Sequence, residues 1–356
     1  MAQQLKPALK RFLDTGTIIP AHPLALTADR KLDEDRQRLL TRYYMAAGAG
    51  GIAVGVHSTQ FEIRDPEINL YGTVLKLAAE EVETAGLDRP FIKVAGICGP
   101  TAQAVQEAET ALKYGYDMGL LSMGGLQGWT EAEILDRVRA VAAVMPVFGF
   151  YLQPSVGGRI FSYDFWLQFA GIENVEAIKV AAFNRYQTLD VVRAVCHSPR
   201  RNKIALYTGN DDNIVADLLT SYQFNINGER IEKGFTGGLL GHWAVWTHAA
   251  VALFEEVKAC KANGLKGISE LLSKGVQVTD MNAAIFDPAH AFHGCIPGIH
   301  EVLKRQGLLL GTWCLNPAEQ LSEGQGEEIS RVCEAYPELT DDKFVKDFIS
   351  KQLVGN

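Results

Sequence analysis

Eight short apolar runs, separated by longer segments whose apolar residues recur every three or four positions, constrain the fold of this chain more than any other feature. The runs are Thr17–Pro20, Gly51–Gly55, Phe91–Ile97, Met118–Ser122, Val147–Tyr151, Ala177–Ala181, Ile204–Tyr207 and Gly238–Leu240. Each reads as a strand. The segments between them, such as Glu34–Ala47, Thr101–Lys113 and Thr130–Val144, read as amphipathic helices, with Thr101 and Thr130 placed as N-caps. Eight strand-helix alternations predict an α/β fold, the parallel (β/α)8 TIM barrel, with its active site at the C-terminal ends of the strands. An open doubly wound sheet is the rival, but no G-x-G-x-x-G follows the first run to make a dinucleotide site.

The chain has 356 residues, more than the roughly 250 of a typical barrel. The pattern therefore places a catalytic barrel over residues 1–262 and a helical extension, packed on the barrel, over 263–356. Asn227-Gly228 is a tight-turn signal between two short extended pieces. It predicts a hairpin inserted near 221–234, ahead of the eighth strand, where it would cover the barrel mouth. The first sixteen residues suit a short amphipathic helix, with no uninterrupted apolar stretch of the secretory kind. No later stretch reaches the about 18 consecutive apolar residues of a membrane span.

A hydrophobic fraction of 47% with 21% charged residues is that of an ordinary globular protein. The formal net charge of -8 argues against a nucleic-acid or membrane-surface binder, which needs a clustered positive field. Six cysteines lie scattered without a CxxC pair, so neither a zinc ribbon nor a dithiol site is expected, and a reduced cytoplasmic protein is the simplest account.

Chemistry concentrates at the predicted strand ends. Lys179 sits inside an apolar run, where an ammonium group is costly to bury. Desolvation favours its neutral amine, which can attack a ketone and form a Schiff base. Tyr151, 28 positions earlier at the end of the fifth run, could shuttle the protons that such chemistry requires. The plainer reading of Lys179 is a packed stem whose ammonium group reaches water. His22, His57, Asn210, Asp211, Asp212 and His242 follow other strands. The histidines either bond to backbone carbonyls or hold a substrate carboxylate or hydroxyl, and at least one of the aspartates reads as a helix cap.

Taken in order, several pieces resemble the dihydrodipicolinate synthase / N-acetylneuraminate lyase family of class I aldolases. Gly48–Gly55 and Val94–Gly99 are similar to the family's segments at its second and third strands. Tyr151-Leu152-Gln153-Pro154 resembles its Y-N-x-P, Ile178-Lys179 its Schiff-base I-K, and Thr208-Gly209-Asn210-Asp211 its G-D turn. The resemblance covers roughly residues 15–260. It implies a lyase, aldolase or dehydratase, that forms an imine between Lys179 and a pyruvate-like 2-oxo acid, with Tyr151 as proton relay and no cofactor or metal. Substrate contacts are expected from Gly55, His57, Ser58, Asn210, Asp211 and His242, and the resemblance implies assembly as a dimer or tetramer.

Where the family reads G-T-T-G-E, this chain reads Gly55-Val56-His57-Ser58-Thr59. Val56 cannot relay a proton, whereas His57 can still bind an anion. The fourth-strand region carries Gly124-Gly125 in place of a tyrosine, and the fifth-strand loop has Val156 in place of an arginine, with Arg159 three residues on. These departures argue against dihydrodipicolinate synthase itself and favour another polar substrate such as a sugar-acid derivative. Two alternatives remain: a barrel that binds 2-oxo acids without chemistry, and a metal-dependent enzyme using His22, His57, His242 and Asp211.

Overall fold

The computed structural model describes residues 2–354. Among them ten strands form: β1 Ile18–Pro20, β2 Gly51–Val54, β3 Ile92–Ile97, β4 Met118–Leu121, β5 Val147–Leu152, β6 Val175–Ala181, β7 Ala205–Thr208, β8 Tyr222–Ile226, β9 Glu229–Lys233 and β10 Gly237–Leu240. Eight of them make one sheet in the order β1-β10-β7-β6-β5-β4-β3-β2, and helices alternate with its strands. The strands at the two ends of this order, β1 and β2, are joined by a parallel bridge between Ala21 and Ala53. His22 N–H donates to the Ala53 carbonyl at 2.8 Å beside that bridge. The sheet thus closes on itself, and the fold is the (β/α)8 barrel that the eight alternations predict.

The chain forms two compact units, one of residues up to Thr17 with Ile92–Leu239, the other of Ile18–Phe91 with the residues from Leu240 onward. In the first unit, β3 to β7 run parallel in register, and the helix Pro7–Thr15 accepts a hydrogen bond from the Tyr207 hydroxyl at the Leu13 carbonyl, 2.8 Å away. Thr130 caps the helix Glu131–Ala142 reciprocally. Its hydroxyl accepts from the Glu133 N–H at 3.3 Å, and the Glu133 carboxylate accepts from the Thr130 N–H at 2.7 Å. We expect Thr130→Ala to cost about 1 kcal/mol of stability, read by urea denaturation, as loss of a capping hydroxyl does elsewhere. Thr101 makes no such cap. The cap position of its helix is Pro100, which places Thr101 one residue inside, where its hydroxyl no longer stands opposite the first free N–H groups.

The hairpin forms where Asn227-Gly228 predicts it, with Asn227 and Gly228 both at positive φ as a tight two-residue turn requires. It does not cover the mouth of the barrel. It follows the helix Ile214–Leu219 and precedes β10, so it interrupts a helix-to-strand connection, and such connections lie at the N-terminal ends of barrel strands. Its contacts agree with that placement. Lys233 donates to the Arg201 carbonyl at 2.7 Å, and Glu229 pairs with Arg201, in the segment that leads into β7.

In the second unit, the helices Ile268–Phe286, Cys295–Arg305, Gln325–Ala335 and Asp342–Val354 follow the last barrel strand and the helix Thr247–Ala262. Asp341 stitches them to earlier elements. Its carboxylate accepts from the Tyr43 hydroxyl at 2.6 Å, from the His248 N–H at 3.0 Å and from the Gln306 side chain at 2.8 Å. Burial raises the pKa of this carboxyl, and its three donors oppose the rise. No helix among the described residues is long and apolar enough to cross a membrane.

Candidate active site at strand β6

Parallel neighbours in register project their side chains to the same face, and successive residues alternate. Lys179 is paired with Phe150 on β5 and with Tyr207 on β7. These three therefore share one face, and the Lys179 Nζ lies 4.4 Å from the centre of the Phe150 ring. The opposite face belongs to the helical layer: a Cβ built on Gly149 would meet the Phe169 ring of the helix Tyr163–Gly171 at 2.6 Å. Lys179 therefore points into the barrel.

Only 7% of Lys179 is exposed. Burial lowers its pKa from 10.5 to about 8, and the negative charge of Asp211 opposes that fall. A substantial neutral fraction at physiological pH is what an amine nucleophile needs. The Phe150 ring, 4.4 Å from Nζ, supports the charged form through a cation–π contact.

Gly209, just past β7, makes room for this side chain. A Cβ there would stand 2.4 Å from Lys179 Cε and 2.9 Å from both Lys179 Cγ and Ala181 Cβ. We expect Gly209→Ala to push the lysine stem aside and reduce imine formation by on the order of 10²-fold, the scale on which a misplacement of about 1 Å acts. Circular dichroism of the variant checks that the fold persists.

The strand-end tyrosine does not join Lys179. Tyr151 is paired with Val180, one residue beyond Lys179, and so lies on the helix-facing side. Its ring packs on Trp166 at 5.0 Å and Phe161 at 6.2 Å. Burial raises its phenol pKa to about 12. The reason is a single extra residue. Val147 pairs with Val175, but the next residue, Phe148, pairs with Ala177, so Glu176 bulges out of the β6 ladder. Had the first pairing continued, Tyr151 would stand opposite Lys179. Phe150, not Tyr151, is therefore the strand β5 side chain beside the amine.

Of the residues after β7, Asn210 and Asp211 have different duties. Asn210 is fully buried, and both amide hydrogens are taken, by Asp217 at 2.8 Å and Thr188 at 3.3 Å, while its carbonyl oxygen accepts from the Phe183 N–H at 2.9 Å. It clamps the strand end to the helices that carry Thr188 and Asp217. Asp211 is 4% exposed and is the charged group acting on Lys179. Neither Asp211 nor Asp212 caps the following helix, whose cap position is Asn213.

In the second unit, Gly55, at φ 77°, begins a tight turn held by Thr59. The Thr59 hydroxyl accepts from the N–H groups of Gly55 at 3.0 Å and Val56 at 3.2 Å and donates to the His22 carbonyl at 2.6 Å. Ser58, 2% exposed, donates its hydroxyl to the same carbonyl at 3.3 Å, so it is engaged in the turn. His57 stays partly exposed at the start of the short helix His57–Thr59, its ring 5.9 Å from Phe61. His22 is fully buried, bonded to Pro23 and Thr41, and burial lowers its pKa to about 4. His242, just past β10, is likewise held neutral by burial, with a pKa of about 4, 3.5 Å from the Asn282 amide. Among the described residues no group of three or more His, Cys, Asp or Glu side chains could hold a metal ion, which leaves the metal-enzyme alternative without a ligand set.

No family model and no curated protein matches the sequence. Solved structures do match the fold. The dihydrodipicolinate synthase of Oceanobacillus iheyensis is 18% identical, with a TM-score of 0.72 over 92% of this chain and 99% of its own. CdNal from Clostridium difficile, solved with mannosamine, is 17% identical, with a TM-score of 0.71 over 91% of this chain and 99% of its own. YagE, a prophage protein of the dihydrodipicolinic acid synthase family from E. coli K12 solved with pyruvate, is 17% identical, with a TM-score of 0.70 over 91% of this chain and 98% of its own. The barrel that the sequence resemblance implies is thus the barrel of those structures.

Proposed function

We propose that the protein is a Schiff-base lyase acting on a pyruvate-like 2-oxo acid or a sugar-acid derivative, with Lys179 as the nucleophile. The observation that carries this reading is a lysine inside the barrel, Lys179, 7% exposed, with a pKa lowered to about 8. The neutral amine adds to the substrate ketone, water leaves, and the protonated imine then draws electrons from the adjacent carbon. That carbon loses a proton to give an enamine, which adds to an aldehyde, or arises when a carbon–carbon bond breaks.

A proton acceptor is needed near the amine, and Tyr151 faces away. Asp211, buried and electrostatically linked to Lys179, takes that role in this reading. The fold likeness to a dihydrodipicolinate synthase and to YagE, which was solved with pyruvate, supports the substrate class. Assembly as a dimer or tetramer belongs to the same proposal, and light scattering of the purified protein tests it.

The reading is tested by proton exchange in D2O. An enamine formed from pyruvate exchanges the methyl hydrogens, so the methyl signal should fade with the wild-type protein and persist with Lys179→Ala. Binding of 2-oxo acids without exchange would favour the second reading, a non-catalytic binding barrel, to which Val56 and the outward Tyr151 point.

A further inference from the structure

One buried cation in the first unit has work that the lysine chemistry does not use. Arg137, on the helix Glu131–Ala142, is 0% exposed. Its Nε donates to the Gly99 carbonyl at 2.7 Å, while Nη1 and Nη2 are buried without a hydrogen-bond partner among the described residues. Two unpaired donors on a buried guanidinium are costly, because they have surrendered water without replacement. Burial lowers the pKa of Arg137 to about 10, and the negative charges of a Cys98 thiolate and of the Glu107 carboxylate oppose that fall.

The surroundings fix Cys98 beside it. Cys98 follows β3, and its N–H donates to Glu107 Oε2 at 3.0 Å, while Glu107 Oε1 accepts from Gln103 at 2.8 Å. Gly99, next to Cys98, stands at φ 75°, a conformation that favours glycine. Cys98 is partly exposed, as is Cys333, while the other four cysteines are buried. Cys333 has the opposite setting. Burial pushes its thiol pKa up, and Asp342 and Glu334 add to the rise against Arg305.

We infer that Cys98 is a modification site, a thiol that hydrogen peroxide oxidises to a sulfenic acid whose oxygen is held by Nη1 and Nη2 of Arg137. A neighbouring guanidinium stabilises the thiolate, which is the reactive form. Its sulfur attacks one peroxide oxygen, the S–O bond forms as the O–O bond breaks, and sulfur loses two electrons. The departing hydroxide takes the proton released by the thiol and leaves as water. The site is independent of the lyase reading.

The test treats the full-length protein with one equivalent of hydrogen peroxide in the presence of dimedone and maps the labelled peptides. Cys98 should be labelled well ahead of Cys333. Arg137→Met should slow Cys98 labelling about tenfold, the change that one unit of thiol pKa produces, and leave Cys333 unchanged. Should that variant not fold, Glu107→Gln serves instead: removing the carboxylate that competes for the guanidinium should speed labelling of Cys98. Cys98 labelled no faster than Cys333, a folded Arg137→Met protein labelled as fast as wild type, or a folded Glu107→Gln protein no faster than wild type would overturn the inference.

Discussion

Lys179→Ala is expected to abolish enamine formation while leaving the barrel folded. Removal of a covalent nucleophile costs on the order of 10⁶ in rate where it has been measured, because no neighbouring group can take over bond formation. Here the neighbours on the same face are Phe150 and Tyr207, and neither is an amine. The fold should survive because the substitution removes a buried ammonium group, whose desolvation already opposes its charged form. Far-UV circular dichroism and a thermal melt of the variant, set beside the loss of pyruvate exchange, separate loss of chemistry from loss of structure.

The second large effect is expected from Asp211→Asn. Loss of a proton-transfer group slows reaction by about 10²–10⁴-fold. The same carboxylate holds the Lys179 pKa up, so its removal lets burial lower that pKa further. The two consequences run in opposite directions. More neutral amine is present at a given pH, so imine formation extends to lower pH than in wild type, while proton exchange at the adjacent carbon collapses. A variant in which both steps fall together, with no shift of the imine profile, would show that Asp211 acts only by packing.

Much of the barrel was legible because strand length and helical periodicity are local properties. The eight runs mark the eight barrel strands, and Asn227-Gly228 dictates its own turn. Its location was not legible. Whether a hairpin lies at the mouth or the base follows from whether it interrupts a strand-to-helix or a helix-to-strand connection, and the helix Ile214–Leu219 just before it, only 6 residues long, gave too little periodicity to read.

The site shows the same division. A lysine inside an apolar run was conspicuous by composition alone, and Lys179 is inside the barrel. Tyr151 lies on the other face because spacing counts residues, whereas facing depends on register. One bulged residue, Glu176, reverses the face of everything after it, since side chains alternate with a period of two. Lys10 at 3.5 Å and Arg200 at 3.6 Å pair with Glu176, and neither partner is near it in sequence. Gly209 carried a usable signal in the Gly-Asn-Asp turn, while Phe150, an apolar residue in an apolar strand, carried none.

The most direct measurement is borohydride reduction in the presence of pyruvate, followed by intact mass and peptide mapping. A stable adduct of one pyruvate on the peptide that contains Lys179, absent from Lys179→Ala, is the predicted result. No adduct with pyruvate or with a panel of other 2-oxo acids, or an adduct on a different lysine, would contradict the account.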